Sequence, residues 1–158
     1  MQNRPGFTLV EIMIVVVLIG VLATLALPAF QKIRTHSQNT ATISDLRTFR
    51  AAFDTFALER GYWPPDSVGN AWPDATTASL MYSGYLKQSQ WEKVTPIGGN
   101  YDWDPDQFHN SNGVSVDGYT VGIDQVVEMD RLVDDGDLST GMFRSRAGGV
   151  IWILDFNS

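Results

Sequence analysis

The chain has 158 residues, no cysteine and a formal net charge of −7 at pH 7. Without cysteine it can have no disulfide, no thiolate nucleophile and no Cys-ligated zinc. The charge is uneven, because residues 1–100 carry eight Lys/Arg against seven Asp/Glu, whereas residues 101–158 carry three against eleven. An acidic chain lacks the basic footprint of a nucleic-acid-binding protein, so no nucleic-acid partner is expected.

The N-terminal segment is long and apolar. Phe7 to Leu27 is a run of 21 residues with a single charged side chain, Glu11. As a helix this run would be about 31 Å long, close to the ~30 Å hydrocarbon core of a bilayer. It therefore predicts one membrane-spanning helix. An ionised carboxylate in such a helix costs about 2.5–3.5 kcal/mol on insertion scales, so Glu11 calls for a partner.

Two ordinary explanations of this segment are a secretory signal peptide and a plain membrane anchor. Arg4 would be the basic region of a signal peptide, with cleavage near Ala29. The leader before the apolar run is short for that purpose, and neither a signal peptide nor an anchor has a use for Glu11. Both explanations are disfavoured for this reason.

The residues Gly6-Phe7-Thr8-Leu9-Val10-Glu11 resemble the prepilin-peptidase site of type IV pilins and type II secretion pseudopilins. The resemblance implies cleavage between Gly6 and Phe7 and methylation of the new N-terminal Phe7. Glu11 would be the fifth mature residue, and Pro28 would be the twenty-second, where many family members have a helix-kinking proline. The resemblance is strong over the apolar N-terminal segment and covers the rest of the chain in outline.

Glu11 is accordingly interpreted as an assembly residue. Cleavage would create a cationic α-amino group at Phe7, and the glutamate of one subunit could pair with that amine on a neighbour as apolar helices bundle. Opposite charges attract strongly in a low-dielectric core, and each needs the other to offset its desolvation. The pair would set the axial register between subunits, with Pro28 as a second assembly position.

Beyond Pro28 the apolar residues recur at helical spacing, which predicts a continuous helix to Arg60 and then a break at Gly61 and the two prolines that follow. The stripe is expected to be domain core and consists of Phe30, Ile33, Ile43, Leu46, Phe49, Phe53 and Phe56. The predicted organisation is a leader (1–6), a transmembrane and filament-core helix (7–27), an amphipathic half of the same helix (28–60) and a globular domain (61–158).

The globular part is expected to be α+β. A short helix is predicted over 73–86 with Leu80, Met81 and Leu86 inward, then a loop over 91–100, and a second helix over 124–135 with Val126, Met129, Leu132 and Val133 buried. Alternating or β-branched runs predict strands at 100–104, 118–123, 142–144 and 150–154, with Gly148-Gly149 in a hairpin turn. The five tryptophans are expected to be mostly core. Three or four antiparallel strands against the long helix give a pilin-like fold, which the resemblance also implies.

Chemistry-bearing motifs are scarce. The two histidines, His36 and His109, stand in unlike contexts, and no nucleophile elbow, phosphate loop or dinucleotide fingerprint is present. No enzymatic activity is expected. One acidic cluster around Gly136 is compatible with Ca²⁺ and consists of Asp130, Asp134, Asp135 and Asp137. Some major pseudopilins bind calcium in a C-terminal loop, whereas the ordinary alternative is a solvated helix end. No other cofactor is expected.

The resemblance implies a structural subunit of a helical filament, with a type II secretion pseudopilin favoured by the acidic domain and the missing disulfide. The alternatives are a major or minor pilin of a type IV pilus, acting in adhesion or motility, and a membrane-anchored periplasmic binding domain that never polymerises. Implied partners are further copies of the chain, related minor pilins or pseudopilins, a prepilin peptidase and an inner-membrane assembly platform driven by a cytoplasmic ATPase. The implied location is the bacterial inner membrane, with the C-terminal domain in the periplasm, followed by a periplasmic pseudopilus or an extracellular pilus.

Overall fold

The computed structural model describes residues 6–106 and 111–155, and within these it has four helices and four strands. The helices are α1 (Leu9–Arg60), α2 (Ala75–Gly84), α3 (Gln88–Trp91) and α4 (Ile123–Val133). The strands are β1 (Asn100–Asp106), β2 (Ser111–Asp117), β3 (Phe143–Arg146) and β4 (Gly149–Asp155). The backbone forms two compact units, the first ending at Ser37 and the second beginning at Gln38.

The first unit contains the apolar part of α1. Every residue from Gly6 to Arg34 is exposed, and an 18-residue window of the helix has a mean hydropathy of 2.8. By length and composition this part of α1 can cross a membrane. The prediction that Phe30 and Ile33 are domain core is wrong, since they are 66% and 67% exposed. Both precede Gln38, and the described residues of their unit, 6–37, offer no second layer for them to pack against.

In the second unit the predicted stripe of α1 is confirmed as core. The buried members are Ile43, Leu46, Phe49, Phe53 and Phe56, at the spacing of three or four residues that places side chains on one helix face. Burying each of these large side chains contributes about 1.5–3 kcal/mol. The helix ends at Arg60 as predicted, because Gly61 takes a φ of 75° that side-chain-bearing residues avoid.

The four strands form one antiparallel sheet in the order β1-β2-β4-β3. The predicted pairing of the last two strands is confirmed, and Gly148 turns the hairpin between them with a φ of 83°. The predicted strand over 118–123 is wrong, because β2 ends at Asp117 and the chain leaves the sheet at Gly118, whose φ is 69°. Residues 118–123, whose apolar residues alternate loosely, form the connection from β2 to α4.

The inner face of the sheet packs on α1 through aromatic rings. Trp103 of β1 stacks on Phe53 with a centroid distance of 4.0 Å, and Tyr101 meets Phe49 edge-on at 4.8 Å. Trp91, at the end of α3, is fully buried and lies 5.0 Å from Phe49. The prediction that most tryptophans are core is confirmed, since all five are buried or pack against the buried cluster. Aromatic pairs of this kind add about 0.5–1.5 kcal/mol each beyond their burial.

The outer face of the sheet carries a charge cluster, which we call the Arg146 cluster. Arg146 Nη2 lies 3.2 Å from Asp102 Oδ2 and 3.1 Å from Asp117 Oδ1, and Nη1 lies 3.0 Å from Asp104 Oδ1. Arg146 stands on the edge strand β3 and reaches across β4 and β2. Gly149 is its partner in the register, and a Cβ there would come within 2.8 Å of Asp117 Oδ1. Because Gly149 has no side chain, there is room beside it for the ion pair between Arg146 and Asp117.

Three carboxylates therefore share one guanidinium, and two of them, Asp102 and Asp104, are buried. Burial raises the pKa of Asp102 to about 7, repulsion from Asp104 adds to the rise, and the Ser67 hydroxyl and Arg146 oppose it. Burial also raises the pKa of Asp104. The cluster consequently favours the protonated forms of Asp102 and Asp104 more strongly than water does.

Two predicted helices are confirmed with different ends. In α2, Asp74 caps the first turn by accepting a hydrogen bond from the Thr77 N–H at 2.8 Å, and Met81 is buried. The predicted loop over 91–100 starts one residue later, after α3, and ends at Asn100, where β1 begins.

In α4, Val126 and Met129 are buried as predicted, but Leu132 is 46% exposed. The inward face of α4 also includes Asp130, so Leu132 lies on the outward side of the helix.

Candidate functional site

The predicted processing bond lies before the first helical residue. Gly6, Phe7 and Thr8 are non-helical, α1 begins at Leu9, and Phe7 is 83% exposed. A bond in this position is not engaged in the i to i+4 hydrogen bonds of the helix, so an enzyme can reach it without unwinding a turn. The geometry is thus compatible with cleavage between Gly6 and Phe7.

Glu11 is hydrogen-bonded within its own chain. Its Oε2 accepts from the Thr8 N–H at 2.8 Å and from the Thr8 hydroxyl at 2.7 Å, while Thr8 Oγ1 accepts from the Glu11 N–H at 3.3 Å. This reciprocal arrangement is a capping box, in which Thr8 is the N-cap and Glu11 the third helical residue. The negative charge also lies at the positive end of the helix dipole.

Thr8 is a site residue that the sequence reasoning missed. The signal was available, since Thr8-Leu9-Val10-Glu11 matches the Ser/Thr-x-x-Glu pattern of a capping box before an apolar run. Because residue 6 still precedes Phe7 in this chain, the Phe7 nitrogen is an amide and carries no charge. In place of a charged amine, the hydroxyl and the N–H of Thr8 donate hydrogen bonds to the Glu11 carboxylate. These bonds reduce the free-energy cost of holding a carboxylate in an apolar segment.

Pro28 lies inside α1, which continues through it to Arg60. Because proline has no N–H, it cannot donate to the carbonyl of Thr24, four residues earlier. The Thr24 hydroxyl instead donates to the Val21 carbonyl at 2.7 Å. Pro28 thus removes one i to i+4 hydrogen bond from the helix without ending it.

The predicted calcium residues are only partly brought together. Carboxylate oxygens of Asp130, Asp134 and Asp135 lie within 4.8 Å of one another. Asp137 lies outside this group, because its Oδ1 accepts from the Ser139 N–H at 3.0 Å and the Ser139 hydroxyl at 2.6 Å. Asp137 therefore stabilises the local turn rather than the acidic group.

Asp130 is the unusual member of this acidic group. Its relative exposure is 0%, and neither carboxylate oxygen has a hydrogen-bond partner among the described residues. Burial raises the pKa of Asp130 to about 6, Asp135 and Asp134 add to the rise, and the nearby Gly136 N–H partly opposes it. A buried carboxylate without a partner is costly, which makes it suited to a hard cation.

The other two acids have protein partners as well as each other. Asp134 Oδ2 accepts from the Met142 N–H, and from the Phe143 N–H at 3.2 Å. Asp135 Oδ2 accepts from the Thr140 hydroxyl at 2.7 Å. These bonds tie the loop after α4 to the start of β3 and hold two of the three carboxylates in place.

His36 is exposed on α1, and His109 lies outside the described residues.

Comparison with known proteins agrees with this geometry. Residues 1–27 match the family model of the prokaryotic N-terminal methylation motif. Fimbrial protein Q of Moraxella bovis is 42% identical over 100 residues, covering 63% of this chain and 62% of that protein. The type II secretion system core protein G of Escherichia coli (strain K12) is 30% identical over 103 residues, covering 63% of this chain and 71% of that protein. The chain thus spans less than two thirds of the length of fimbrial protein Q.

One solved structure has the same fold. The major type IV pilin PilA1 from Clostridium difficile aligns with a TM-score of 0.53, covering 78% of this chain and 97% of that one. At 13% identity the likeness concerns the fold alone. Together, the methylation motif, the long helix on a four-stranded antiparallel sheet and the match to core protein G show that the chain belongs to the family of type IV pilins and type II secretion pseudopilins, whose members are structural subunits and not enzymes.

Proposed function

We propose that this chain is a pseudopilin of a type II secretion system. It would be inserted in the inner membrane by residues 7–27, with the C-terminal domain in the periplasm, then cleaved after Gly6 by a prepilin peptidase and methylated on Phe7. The mature chain would polymerise with further copies and with minor pseudopilins on an inner-membrane assembly platform. The observation that carries the proposal is the capped Glu11 at the start of an exposed helix long enough to cross a bilayer.

The choice of a secretion filament rests on composition and similarity. The chain has no cysteine with which to close the C-terminal loop found in many pilins, and its C-terminal third is strongly acidic. The match to core protein G covers 71% of that protein. The second candidate is a subunit of a type IV pilus, which the match to fimbrial protein Q favours.

The proposed processing predicts a defined mature N-terminus. Mass spectrometry of the membrane form should find N-methyl-Phe7 as the first residue when a prepilin peptidase is co-expressed, and residue 1 or 2 when it is not. Gly6→Leu is the matched control, because a side chain at this position should block cleavage while leaving the apolar helix unchanged. An N-terminus near Ala29 would instead identify a signal peptide, and an unprocessed chain in both strains would contradict the proposal.

The two filament types differ in the phenotype of a deletion strain. Loss of a pseudopilin should stop export of proteins through the secretin, whereas loss of a pilin should remove surface fibres and twitching motility. Restoration of export by the wild-type chain supports the secretion assignment. Restoration of fibres and motility alone would favour the pilus.

We also propose that Asp130, Asp134 and Asp135 bind Ca²⁺. The donor set fits, because Ca²⁺ prefers carboxylate oxygens and Asp130 has a buried carboxylate without a hydrogen-bond partner. A bound ion would neutralise this group and connect the end of α4 to the loop before β3. Its role would be to stabilise the fold.

The calcium proposal predicts a shift in melting temperature. At a free Ca²⁺ concentration of about 100 times the dissociation constant, a single site stabilises the fold by about 2.7 kcal/mol. In a chain of this size that corresponds to a rise of roughly 5–10 °C, measured on the detergent-solubilised full chain against chelator. Asp130→Asn should lose the rise, whereas Asp124→Asn, outside the group, should keep it. Equal melting temperatures with Ca²⁺ and with chelator would end the idea.

A further inference from the structure

The part of α1 between the membrane-length run and the second unit carries an unpartnered basic and apolar face. Phe30, Ile33 and Arg34 follow the i, i+3, i+4 spacing that places side chains on one side of a helix. All three are exposed, Phe30 by 66% and Ile33 by 67%. Arg34 has no ion pair with any described residue. We call these three residues the basic face.

The outward side of α4 has the opposite character. Asp124, Glu128 and Leu132 are spaced by four residues and lie on one side of this helix. All three are exposed, and neither acid forms an ion pair with a described residue. Leu132 is 46% exposed, although the helical spacing of the apolar residues predicts that it is buried. We call these three residues the acidic face.

The two faces match in spacing as well as in charge. On the basic face an aromatic ring precedes the cation by four residues, and on the acidic face Glu128 precedes the leucine by four residues. Four helical residues cover about 6 Å in both cases. An antiparallel arrangement of the two helices would therefore align Arg34 with Glu128 and Phe30 with Leu132.

Anionic lipid is the main competitor for the basic face. However, cations next to a membrane helix are enriched on the cytoplasmic side. In the proposed orientation Arg34 lies on the periplasmic side, where the membrane does not account for it. The charge distribution of the chain favours another copy instead, since no acid occurs between Glu11 and Asp45 whereas residues 101–158 carry eleven. Complementary potentials of this kind select partners and fix their register.

We infer that the basic face of one subunit docks on the acidic face of α4 in a second copy of this chain within the filament. This inference rests on the proposed function, because it requires that the chain polymerises. The apolar residues supply contact area, and the Arg34–Glu128 pair selects the register. The contact is exposed, so its contribution is screened by salt.

Cysteine cross-linking tests the contact directly, because the natural chain contains no cysteine. Arg34→Cys and Glu128→Cys are introduced on separate chains that carry different tags, so that only an intersubunit disulfide joins the two tags. Filaments oxidised after assembly should yield this heterodimer, and the pair Phe30→Cys with Leu132→Cys should yield it as well. The matched control is Lys32→Cys with Glu128→Cys, since Lys32 is exposed but lies on another side of α1. A control yield equal to that of the test pair would overturn the inference.

Charge reversal tests whether the contact matters for assembly. An exposed ion pair contributes up to about fivefold to an association constant, and reversal adds repulsion, so Arg34→Glu should reduce filament yield roughly tenfold. Combining Arg34→Glu with Glu128→Arg should restore most of the yield. Lys32→Glu combined with Glu128→Arg should give no such rescue. A reversal without effect, or one that Glu128→Arg does not rescue, would contradict the inference.

The readouts separate failure of this inference from failure of the proposed function. If the wild-type chain forms no filaments in a competent strain, the proposed function fails. If wild-type filaments form but the Arg34/Glu128 disulfide is missing, only the docking inference fails. If assembly of the wild-type chain from vesicles requires anionic lipid, Arg34→Glu removes that requirement and Glu128→Arg does not rescue assembly, the basic face binds the membrane surface and the inference is overturned.

Discussion

Glu11→Ala should leave the chain inserted and cleaved but reduce filament yield by about a hundredfold or more. The expected cause is the loss of one member of a buried ion pair between Glu11 of one subunit and the Phe7 α-amino group of a neighbour. Removing one partner of such a pair costs about 3–5 kcal/mol, because the other charge stays buried without compensation. The measurement is the amount of subunit in the sheared filament fraction, with electron microscopy as the second readout.

The capping box makes a control necessary, since Glu11 also closes the first turn of α1. Thr8→Val removes the cap but keeps the carboxylate, and caps contribute about 0.5–2 kcal/mol. If Glu11 acts through the neighbouring amine, Thr8→Val should reduce assembly far less than Glu11→Ala does. Glu11→Gln should resemble Glu11→Ala, because it keeps a hydrogen-bond acceptor but not the charge. Equal losses in Thr8→Val and Glu11→Ala would show that the cap alone accounts for the effect, and normal filaments from Glu11→Ala would falsify the ion pair.

Arg146→Met should be strongly destabilising, and the loss in the free energy of unfolding should grow as the pH rises. The substitution removes the one guanidinium that lies between Asp102, Asp104 and Asp117 in the described structure. Leaving buried carboxylates without a counter-charge costs about 3–5 kcal/mol. Around pH 5 Asp102, whose pKa burial raises to about 7, holds a proton and needs no counter-ion, so the variant should be closest to the wild type there. Near pH 8 Asp102 and Asp104 must either ionise without a counter-charge or stay protonated, and both cost free energy. The difference in the free energy of unfolding between the variant and the wild type should be largest there.

The pH dependence of the wild type follows from the same cluster. The folded-state pKa of Asp102 is raised to about 7 from an ordinary value of 3.8. The folded state therefore binds more protons than the unfolded state between these values, and the contribution of this group to stability falls as pH rises through about 7. Urea denaturation of the detergent-solubilised chain at several pH values measures both effects.

Arg47→Met is the matched control for Arg146→Met, because Arg47 is an exposed cation on α1 without an ion pair among the described residues. It should change the free energy of unfolding by at most about 0.5 kcal/mol. Adding Asp102→Asn and Asp104→Asn to Arg146→Met should recover part of the lost stability, since neutral amides need no counter-charge. A pH-independent loss with no recovery would mean that Arg146 acts through its packing alone.

Much of the second unit follows from local patterns. The spacing of Phe49, Phe53 and Phe56 predicts a buried helix face, and Gly61 with the following prolines predicts its end, because these signals depend only on neighbouring residues. The final hairpin is equally local. The same reasoning fails at residues 118–123, where weak alternation resembles a strand but Gly118 turns the chain away from the sheet. It also fails for Leu132, since a short helix has two plausible apolar sides and only packing chooses between them.

The candidate sites show the same division. Thr8 lies within a readable motif, whereas the separation of Asp137 from Asp130, Asp134 and Asp135 depends on how one loop folds. Nothing in the spacing of Asp102, Asp104, Asp117 and Arg146 indicates that they meet, because their contact requires the order β1-β2-β4-β3 and the register that places Gly149 beside Arg146.

By itself the amino-acid sequence determined the membrane-length helix, the family motif around Gly6 and Glu11, and the apolar stripe of α1. Hydrophobicity, helical period and a short motif are properties of adjacent residues, so no fold is needed to recognise them. Only the tertiary structure decided which strands pair, that Asp130 is buried without a hydrogen-bond partner, and that Leu132 faces outward beside Glu128. These features arise from contacts between segments far apart in the chain, whose register is selected by the packing of the whole domain.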